Sequence, residues 1–211
     1  MKGPTTIIIF IALIGLVLGG ILLSSPPKSS APATDQESGQ PAVGEDANLI
    51  YNASTPRVGP ENAKVKVVVF SDFLCPYCKS LNTTIDQLLT TYKDQVAVYS
   101  RNFIVHPDAD VMARAYEAAA KQGKAKEAGD AIFNNFQTAN EDAMTSMAQS
   151  IGLDINKFKA DLGSDEIKAI VAKDNSDATA LNLQGTPGVF VNGKYLSNPG
   201  DLETTIQGQL K

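Results

Sequence analysis

The sequence predicts an α/β domain, with helices packed on a β-sheet and an inserted helical subdomain, preceded by one transmembrane helix and a disordered linker. Three observations support this: an apolar run near the N-terminus, a polar proline-rich stretch after it, and then a strand–helix–strand pattern followed by several helices and a hairpin. The predicted segments are residues 1–24 for the membrane helix, 25–54 for the linker and 55–211 for the folded domain.

The N-terminal apolar run is compatible with two fates. Residues 7–23 are apolar or glycine throughout, and Lys2 is the only charged side chain before them. A run of this length is longer than the h-region of a typical cleaved signal peptide, which favours an uncleaved signal-anchor. Cleavage stays open, with Ala31-Pro32-Ala33 as the nearest small-residue site. Both interpretations predict an extracytoplasmic folded domain, membrane-attached in a single pass or secreted, where cysteine pairs can be kept oxidised.

The linker is identified by its composition. Proline, serine, alanine, glycine and acidic residues dominate it, and large apolar residues are almost absent before Leu49. Such a segment cannot bury enough apolar surface to offset its chain entropy, so we predict that it is disordered.

The folded domain opens with a strand–helix–strand unit. The β-branched run from Val65 to Phe70 predicts a buried central strand, and Pro76 then stands where the first turn of a helix needs no N–H donor. Apolar residues recur at helical spacing as far as Tyr92, and residues 96–100 predict a second strand. A helical crossover of this length implies that the two strands are parallel.

Helices and a hairpin complete the domain. The helical insertion spans about 107–183, with helices predicted at 108–122, 125–138, 141–150, 155–162 and 165–183. Plausible caps and stops flank them at Asn140, Asp154, Ser164, Gly123, Gly152 and Gly163. Asn192-Gly193 between apolar runs predicts a β-hairpin, and Asn198-Pro199 opens a last helix. This order of elements is that of a thioredoxin-type sheet with an inserted helical subdomain.

The two cysteines of the chain, Cys75 and Cys78, stand as Cys-Pro-Tyr-Cys directly after the first predicted strand. A helix N-terminus favours a thiolate over a thiol, and the thiolate is the form that attacks disulfides. A stabilising disulfide would close too short a loop to remove much chain entropy, and a zinc site would need two further soft ligands while the chain has one histidine. Inert core thiols would not usually flank a proline at a helix start. We therefore predict a catalytic dithiol with no metal and no other cofactor, in which Cys75 is the partly exposed nucleophile and Cys78 the shielded resolving thiol.

Three motifs in order and at matching spacing strengthen this interpretation: residues 70–79 around the cysteines, residues 101–109, and residues 185–193. Together they resemble the DsbA-like thiol:disulfide oxidoreductases, and the similarity covers roughly residues 55–211. The resemblance implies that Cys75 attacks and Cys78 resolves. It also implies a cis bond between Thr186 and Pro187, whose backbone would pair with an extended substrate segment beside the disulfide. On the residues alone, Thr186-Pro187 could equally be an ordinary turn that stops a helix.

Several neighbouring residues are expected to tune the pair. Pro76 and Tyr77 lie between the cysteines. Asp72 matches the acidic residue that the family carries three places before the first cysteine, and a structural role for it stays open. The family usually carries a glutamate six places before the nucleophile, where it can handle the proton of the resolving thiol, and this chain has Val69 there. The departure concerns proton transfer, turnover and redox potential. We interpret His106, the only histidine, as a residue of a loop or helix start.

These observations predict an oxidase that takes electrons from the thiols of exported proteins. The resemblance implies a quinone-linked membrane partner that reoxidises it. Two alternatives stay open: a disulfide reductase or isomerase with the same site, and a membrane-tethered chaperone or binding module with little turnover. No dimerisation region is evident, so we expect a monomer. The net charge of −5, without a cluster of basic residues, argues against a nucleic-acid partner.

Overall fold

Five strands form one sheet in the computed structural model, which describes residues 44–134 and 139–211. The strands lie in the order β1-β3-β2-β4-β5. Their bounds are Arg57–Val58 for β1, Val65–Ser71 for β2, Val96–Asn102 for β3, Gly188–Val191 for β4 and Lys194–Tyr195 for β5. β2 pairs parallel with β3 and antiparallel with β4, so it is the central strand, as predicted.

The described residues also form eight α-helices. Their bounds are Ala47–Ile50 for α1, Pro76–Thr91 for α2, Asp110–Ala120 for α3, Ala125–Asn134 for α4, Glu141–Ser150 for α5, Ile155–Leu162 for α6, Asp165–Ala180 for α7 and Leu202–Leu210 for α8. Short 3₁₀ turns, Pro107–Ala109 and Pro199–Asp201, lead into α3 and α8.

Helices cover both faces of the sheet. One face presents the valines of β2, β3 and β4 to α2 and α8, and the apolar stripe of α2 is buried there, with Leu81, Ile85 and Leu88 facing the sheet. The other face carries Phe70 and Phe190 and is covered by α1 and the end of α7. Because α2 begins soon after β2 ends, its N-terminus lies at the carboxyl edge of the central strand.

The inserted subdomain is smaller than predicted. Helices α3 to α6 surround an apolar cluster of their own, which also contains both cysteines and Phe73. The last predicted helix, α7, is not confined to the insertion, because Ala178 and Leu181 at its end pack on the sheet. It ends at Ala180 instead of residue 183, and Leu183 also packs on the sheet.

The local signals for turns and caps are largely confirmed. Asn140, Asp154 and Ser164 cap α5, α6 and α7, each accepting a backbone N–H of the first turn. At the hairpin, Asn192 has φ 48° and Gly193 has φ 82°, as a tight turn between twisted strands requires.

The folded domain begins earlier than predicted. Residues 44–54 belong to it: the Gly44 N–H donates to the Leu181 carbonyl at 2.7 Å, Glu45 pairs with Lys194, and Ile50 in α1 is fully buried. The segment was assigned to the linker because its overall composition is polar, although it ends with the apolar residues Leu49 and Ile50. The predicted membrane segment, 1–24, and linker residues 25–43 lie outside the described residues. Within 44–134 and 139–211, none of the helices has the length and apolar character of a membrane span.

A buried ionic network ties the N-terminal segment, β3 and α7 together. Arg101 donates to Asp174 and Asp177 on α7 at 2.6 Å each, and its remaining nitrogen donates to the carbonyls of Leu49 and Ile50. Arg101, Asp174 and Asp177 are each at most 7% exposed, and the exposed Lys173 also binds Asp177. Arg101 therefore neutralises two buried carboxylates and donates hydrogen bonds to the last two carbonyl groups of α1.

Glu117 of α3 extends this network. Its carboxyl group accepts from the Asn102 amide at 2.7 Å, and Asn102 also donates to Asp174. Burial, reinforced by the charge of Asp174, raises the pKa of Glu117 to about 8. The folded protein thus holds a proton that an unfolded chain loses near the ordinary glutamate pKa.

Because the folded protein holds this proton on Glu117, we predict that the free energy of unfolding falls as the pH rises. The contribution of Glu117 is complete below its unfolded pKa and is lost as the pH rises towards 8. We expect Glu117→Gln, which imitates the protonated form, to raise the free energy of unfolding at pH 9 by about 2–4 kcal/mol, with little effect at pH 4. Urea unfolding at both pH values measures this. The exposed Glu203→Gln serves as the control, and an equal gain at the two pH values would contradict the prediction.

Candidate active site

Cys75 is the N-cap of α2, at the carboxyl edge of the central strand. Its backbone is extended, with φ −80° and ψ 120°, and Pro76 follows in the first turn. The Cys75 N–H donates to the Asp72 carbonyl at 3.1 Å, and the Cys75 carbonyl accepts from Lys79, so that the loop and the helix hold the residue from both sides. Cys75 is only 5% exposed and is therefore less accessible than predicted, because the inserted subdomain packs against it.

Cys78 lies one turn further into α2 and is 2% exposed. Burial raises the pKa of its thiol to about 12. The Asp72 backbone and the Thr186 hydroxyl act in the opposite direction, while Cys75 adds to the rise. Both thiols are free in this structure, so the pair is in its dithiol form. The two sulfurs differ in their surroundings more than in their exposure.

Thr186 contacts both sulfurs from the loop before β4. Its carbonyl accepts from the Cys75 Sγ at 3.4 Å, and its hydroxyl lies beside Cys78. The bond from Thr186 to Pro187 is cis, as the resemblance implies. Gly188 then pairs with Phe70, which brings this loop to the end of β2. A Cβ at Gly188 would lie 2.8 Å from the end of the Leu183 side chain, so a larger residue there requires Leu183 to move.

An open groove of about 480 Å³ is lined by Tyr77, the residue before Cys78, but by neither cysteine. The first turns of α2 form one wall, with Tyr77 and Thr84, and the Thr186-Pro187 loop forms the other. Tyr77 is 76% exposed at the edge of the groove. Its ring is therefore placed to contact a bound molecule more than to act on the sulfurs.

Asp72 holds the loop that carries the cysteines. Its buried carboxylate accepts the N–H groups of Leu74, Val105 and His106 at 2.7–2.8 Å. The Nδ1 atom of His106 lies 3.1 Å from the same carboxylate, and the imidazole is half exposed. Asp72 thus fastens the segment before Cys75 to the segment after β3. His106 precedes the 3₁₀ turn before α3, as expected of a residue at a helix start.

Val69, where a glutamate was expected from the resemblance, is 3% exposed and pairs with Ser100 across β2 and β3. A cavity of about 50 Å³ lies between this part of the sheet and Cys78. Ser71, Ser100 and Tyr116 contribute hydroxyl groups to its wall. The sequence interpretation missed these residues, although the change from Val96 and Val98 to Ser100 on one face of β3 signals a polar interruption.

A metal centre finds no support within the described ranges, since no three histidine, cysteine or acidic side chains there are grouped as ligands. A helix-start dithiol under a neighbouring backbone carbonyl, on a sheet of this topology, is suited to the exchange of disulfide bonds. The class defined by fold and site is therefore that of thiol:disulfide exchange proteins with a thioredoxin-like fold.

Comparison with known proteins specifies the family. The family model described as "Thioredoxin" matches residues 52–209. A Bacillus cereus protein named "Probable disulfide bond formation protein D" is 36% identical over 183 residues, covering 79% of this chain and 84% of that protein. The chain belongs to the thioredoxin family and, within it, to the DsbA-like thiol:disulfide oxidoreductases.

Two further relatives show how widely the domain occurs. The chain is 33% identical over 146 residues to the Na(+)/H(+) antiporter NhaA of Herminiimonas arsenicoxydans, a match that covers 69% of this chain and 24% of the antiporter. The chain thus spans about a quarter of that relative's length. The crystal structure of the thiol-disulfide exchange protein alpha-DsbA2 from Wolbachia pipientis has a TM-score of 0.69 at 20% identity, over 76% of this chain and 90% of that one. This second match shows a shared fold.

Proposed function

We propose that this protein is an extracytoplasmic oxidase that forms disulfide bonds in exported proteins. A substrate thiolate attacks the Cys75 sulfur of the oxidised pair, Cys78 leaves, and a second substrate thiol then releases reduced enzyme. Two electrons move from the substrate dithiol to the Cys75–Cys78 pair, and no other cofactor is needed. The single observation that carries the proposal is the unequal environment of the two sulfurs at the start of α2.

The direction of exchange follows from which form of the pair is stabilised. A Cys75 thiolate would lie at the N-terminus of α2, where helix N–H groups and the dipole favour negative charge. The Cys78 thiol is placed to donate to it. A stabilised reduced form makes the disulfide a stronger oxidant, because reduction is then more favourable.

The groove supports a role in binding extended polypeptides. It places the backbone at Thr186 and Pro187 beside the cysteine pair, and the exposed ring of Tyr77 flanks the same space. An extended segment could add its main-chain hydrogen bonds there, so that recognition depends on backbone more than on side chains. Such recognition suits an enzyme with many substrates.

The partners and location of the protein complete the proposal. Thiols of exported polypeptides are the electron donors, and a quinone-linked membrane protein is the acceptor that returns the pair to its disulfide form. The apolar residues 7–23 would hold the domain, as a monomer, at the outer surface of the membrane close to that acceptor. If the segment is cleaved, the same domain acts as a secreted protein.

Titration of the dithiol against glutathione tests the direction of exchange. We expect a reduction potential well above that of thioredoxin, which is about −270 mV. Tryptic mass spectrometry of alkylated samples reports the fraction of Cys75 and Cys78 in the disulfide. A potential below the thioredoxin value would indicate a reductase. Absence of both peptide oxidation and insulin reduction would favour a chaperone or binding module.

A further inference from the structure

The cavity beneath Cys78 is large enough for water. Its volume of about 50 Å³ exceeds the roughly 10–15 Å³ that one water molecule requires, and Cys78 forms part of its wall. The uncharged polar residues of that wall are Ser71, Asn82, Ser100, Asn102 and Tyr116. A cavity of this size with several polar groups holds water, whereas one lined only by apolar side chains stays dry.

Two of these hydroxyl groups lie together. Tyr116 of α3 is 4% exposed, and its hydroxyl lies near Ser100. Ser100 is half-buried although β3 is an interior strand, because the cavity opens in front of it. The pair is therefore placed to hold a water molecule in the cavity.

Charged residues also line the cavity. Arg101 is one of them, but its guanidinium lies on the opposite face of the sheet, over Phe70 and bound to the carboxylates of α7. Asp86 of α2 and Lys126 of α4 are in contact at 2.7 Å, and both are about one-third exposed (38% and 35%). The cavity thus leads from the buried sulfur towards groups that solvent reaches.

We propose that this cavity is a water-filled proton passage for Cys78, in which Ser100 and Tyr116 are the positioning residues that hold its water. Val69 leaves room for that water at the place where a carboxylate would otherwise project. The proposal rests on the proposed function, because it concerns a proton that moves only when the disulfide opens or closes.

The exchange steps show why a passage is needed. When a substrate thiolate bonds to the Cys75 sulfur, the Cys75–Cys78 bond breaks, and Cys78 leaves with the electron pair and takes a proton from the passage. When an oxidant later forms a mixed disulfide at Cys75, Cys78 attacks that sulfur, gives its proton back to the passage, and the oxidant's thiolate departs. Because burial raises the pKa of Cys78 to about 12, the thiol is the resting form and each step moves one proton.

Reaction of the reduced full-length protein with oxidised glutathione tests the passage. Acid quenching and mass spectrometry follow the glutathione adduct on Cys75 as it forms and as Cys78 resolves it. We expect Tyr116→Phe and Ser100→Ala to slow the resolution roughly tenfold at pH 7 and to leave adduct formation unchanged. The defect should shrink towards pH 9, where Cys78 deprotonates more readily. A purely structural effect would not depend on pH in this way.

A matched control and a rescue complete the experiment. Tyr99→Phe makes the same chemical change as Tyr116→Phe, at the residue before Ser100 in β3. Tyr99 lies on the opposite face of the sheet, where its ring packs against Tyr51. We expect it to resolve the adduct at the wild-type rate, and Val69→Glu to restore the rate in the Tyr116→Phe background. The proposed passage would be contradicted if Tyr116→Phe and Ser100→Ala both resolved the adduct at the wild-type rate. It would also be contradicted if Tyr99→Phe slowed the resolution equally. Failure of the wild-type protein to form an adduct at Cys75 would instead contradict the proposed function.

Discussion

A Cys78→Ala variant is expected to form a lasting mixed disulfide with a disulfide-bonded peptide, whereas Cys75→Ala should form none. In the first variant the Cys75 sulfur attacks the peptide disulfide and releases one peptide thiol, and no Cys78 is left to resolve the adduct. The reason is positional. Cys75 is the N-cap of α2, beside the Thr186 carbonyl, and Cys78 is one turn deeper with a raised pKa. Each variant removes one sulfur, so the two serve as controls for each other.

The two outcomes are distinguished by incubating each variant with a peptide that carries a disulfide bond. Non-reducing electrophoresis and intact-mass measurement then detect the adduct. We expect a stable adduct on Cys78→Ala, none on Cys75→Ala, and disulfide formation in both at the rate of the uncatalysed exchange. Folding of both variants is checked by circular dichroism, because each position lies in the apolar cluster of the subdomain. An adduct carried by Cys78 in the Cys75→Ala protein would reverse the assigned roles.

The largest expected loss of stability comes from Arg101→Met. The substitution leaves Asp174 buried without a cation, leaves Asp177 with Lys173 alone, and removes the donor for the Leu49 and Ile50 carbonyls. Breaking a buried ion pair by removing one partner costs about 3–5 kcal/mol, because the remaining charge stays buried without compensation. We therefore expect the free energy of unfolding to fall by about that amount in urea titrations.

Arg57→Met is the matched control for this prediction. The distance from the Arg57 guanidinium to the Glu61 carboxylate is 3.7 Å, which is long for an ion pair, and Glu61 is 87% exposed. Solvent therefore screens the pair. Its loss should change the free energy of unfolding by less than about 1 kcal/mol. Combining Arg101→Met with Asp174→Asn and Asp177→Asn should recover part of the loss, since no bare charge is then left inside. Equal effects of the Arg101 and Arg57 variants would show that the network contributes nothing beyond an ordinary surface pair.

The parts of the fold that were predicted correctly depend on local rules. The run Val65 to Phe70 became the central strand, Pro76 opened α2, and Asn192-Gly193 formed the hairpin turn. In each case the signal and the structure lie within a few residues of each other, so conformational preference and capping act without help from distant parts of the chain.

The parts that were missed depend on contacts between distant residues. β1 has two residues, Arg57 and Val58, and exists because it pairs with β3. α1 is held by burial of Ile50 and by the guanidinium of Arg101, some fifty residues away in the chain. No window of sequence contains both partners, so composition alone assigned this segment to the linker.

The same division holds for the site. The sequence alone indicated the class of chemistry, because two cysteines separated by Pro76 and Tyr77 at a predicted helix start are a local pattern typical of thiol:disulfide exchange. Tertiary structure alone decided how that chemistry is served: the Thr186 carbonyl over Cys75, the Asp72 clamp, and the hydroxyl-lined cavity under Cys78 all come from segments brought together by the sheet. Burial and the direction of neighbouring polar groups are properties of the packed chain. They determine how easily a cysteine thiol gains or loses its proton, whereas the sequence shows only where in the chain that cysteine stands.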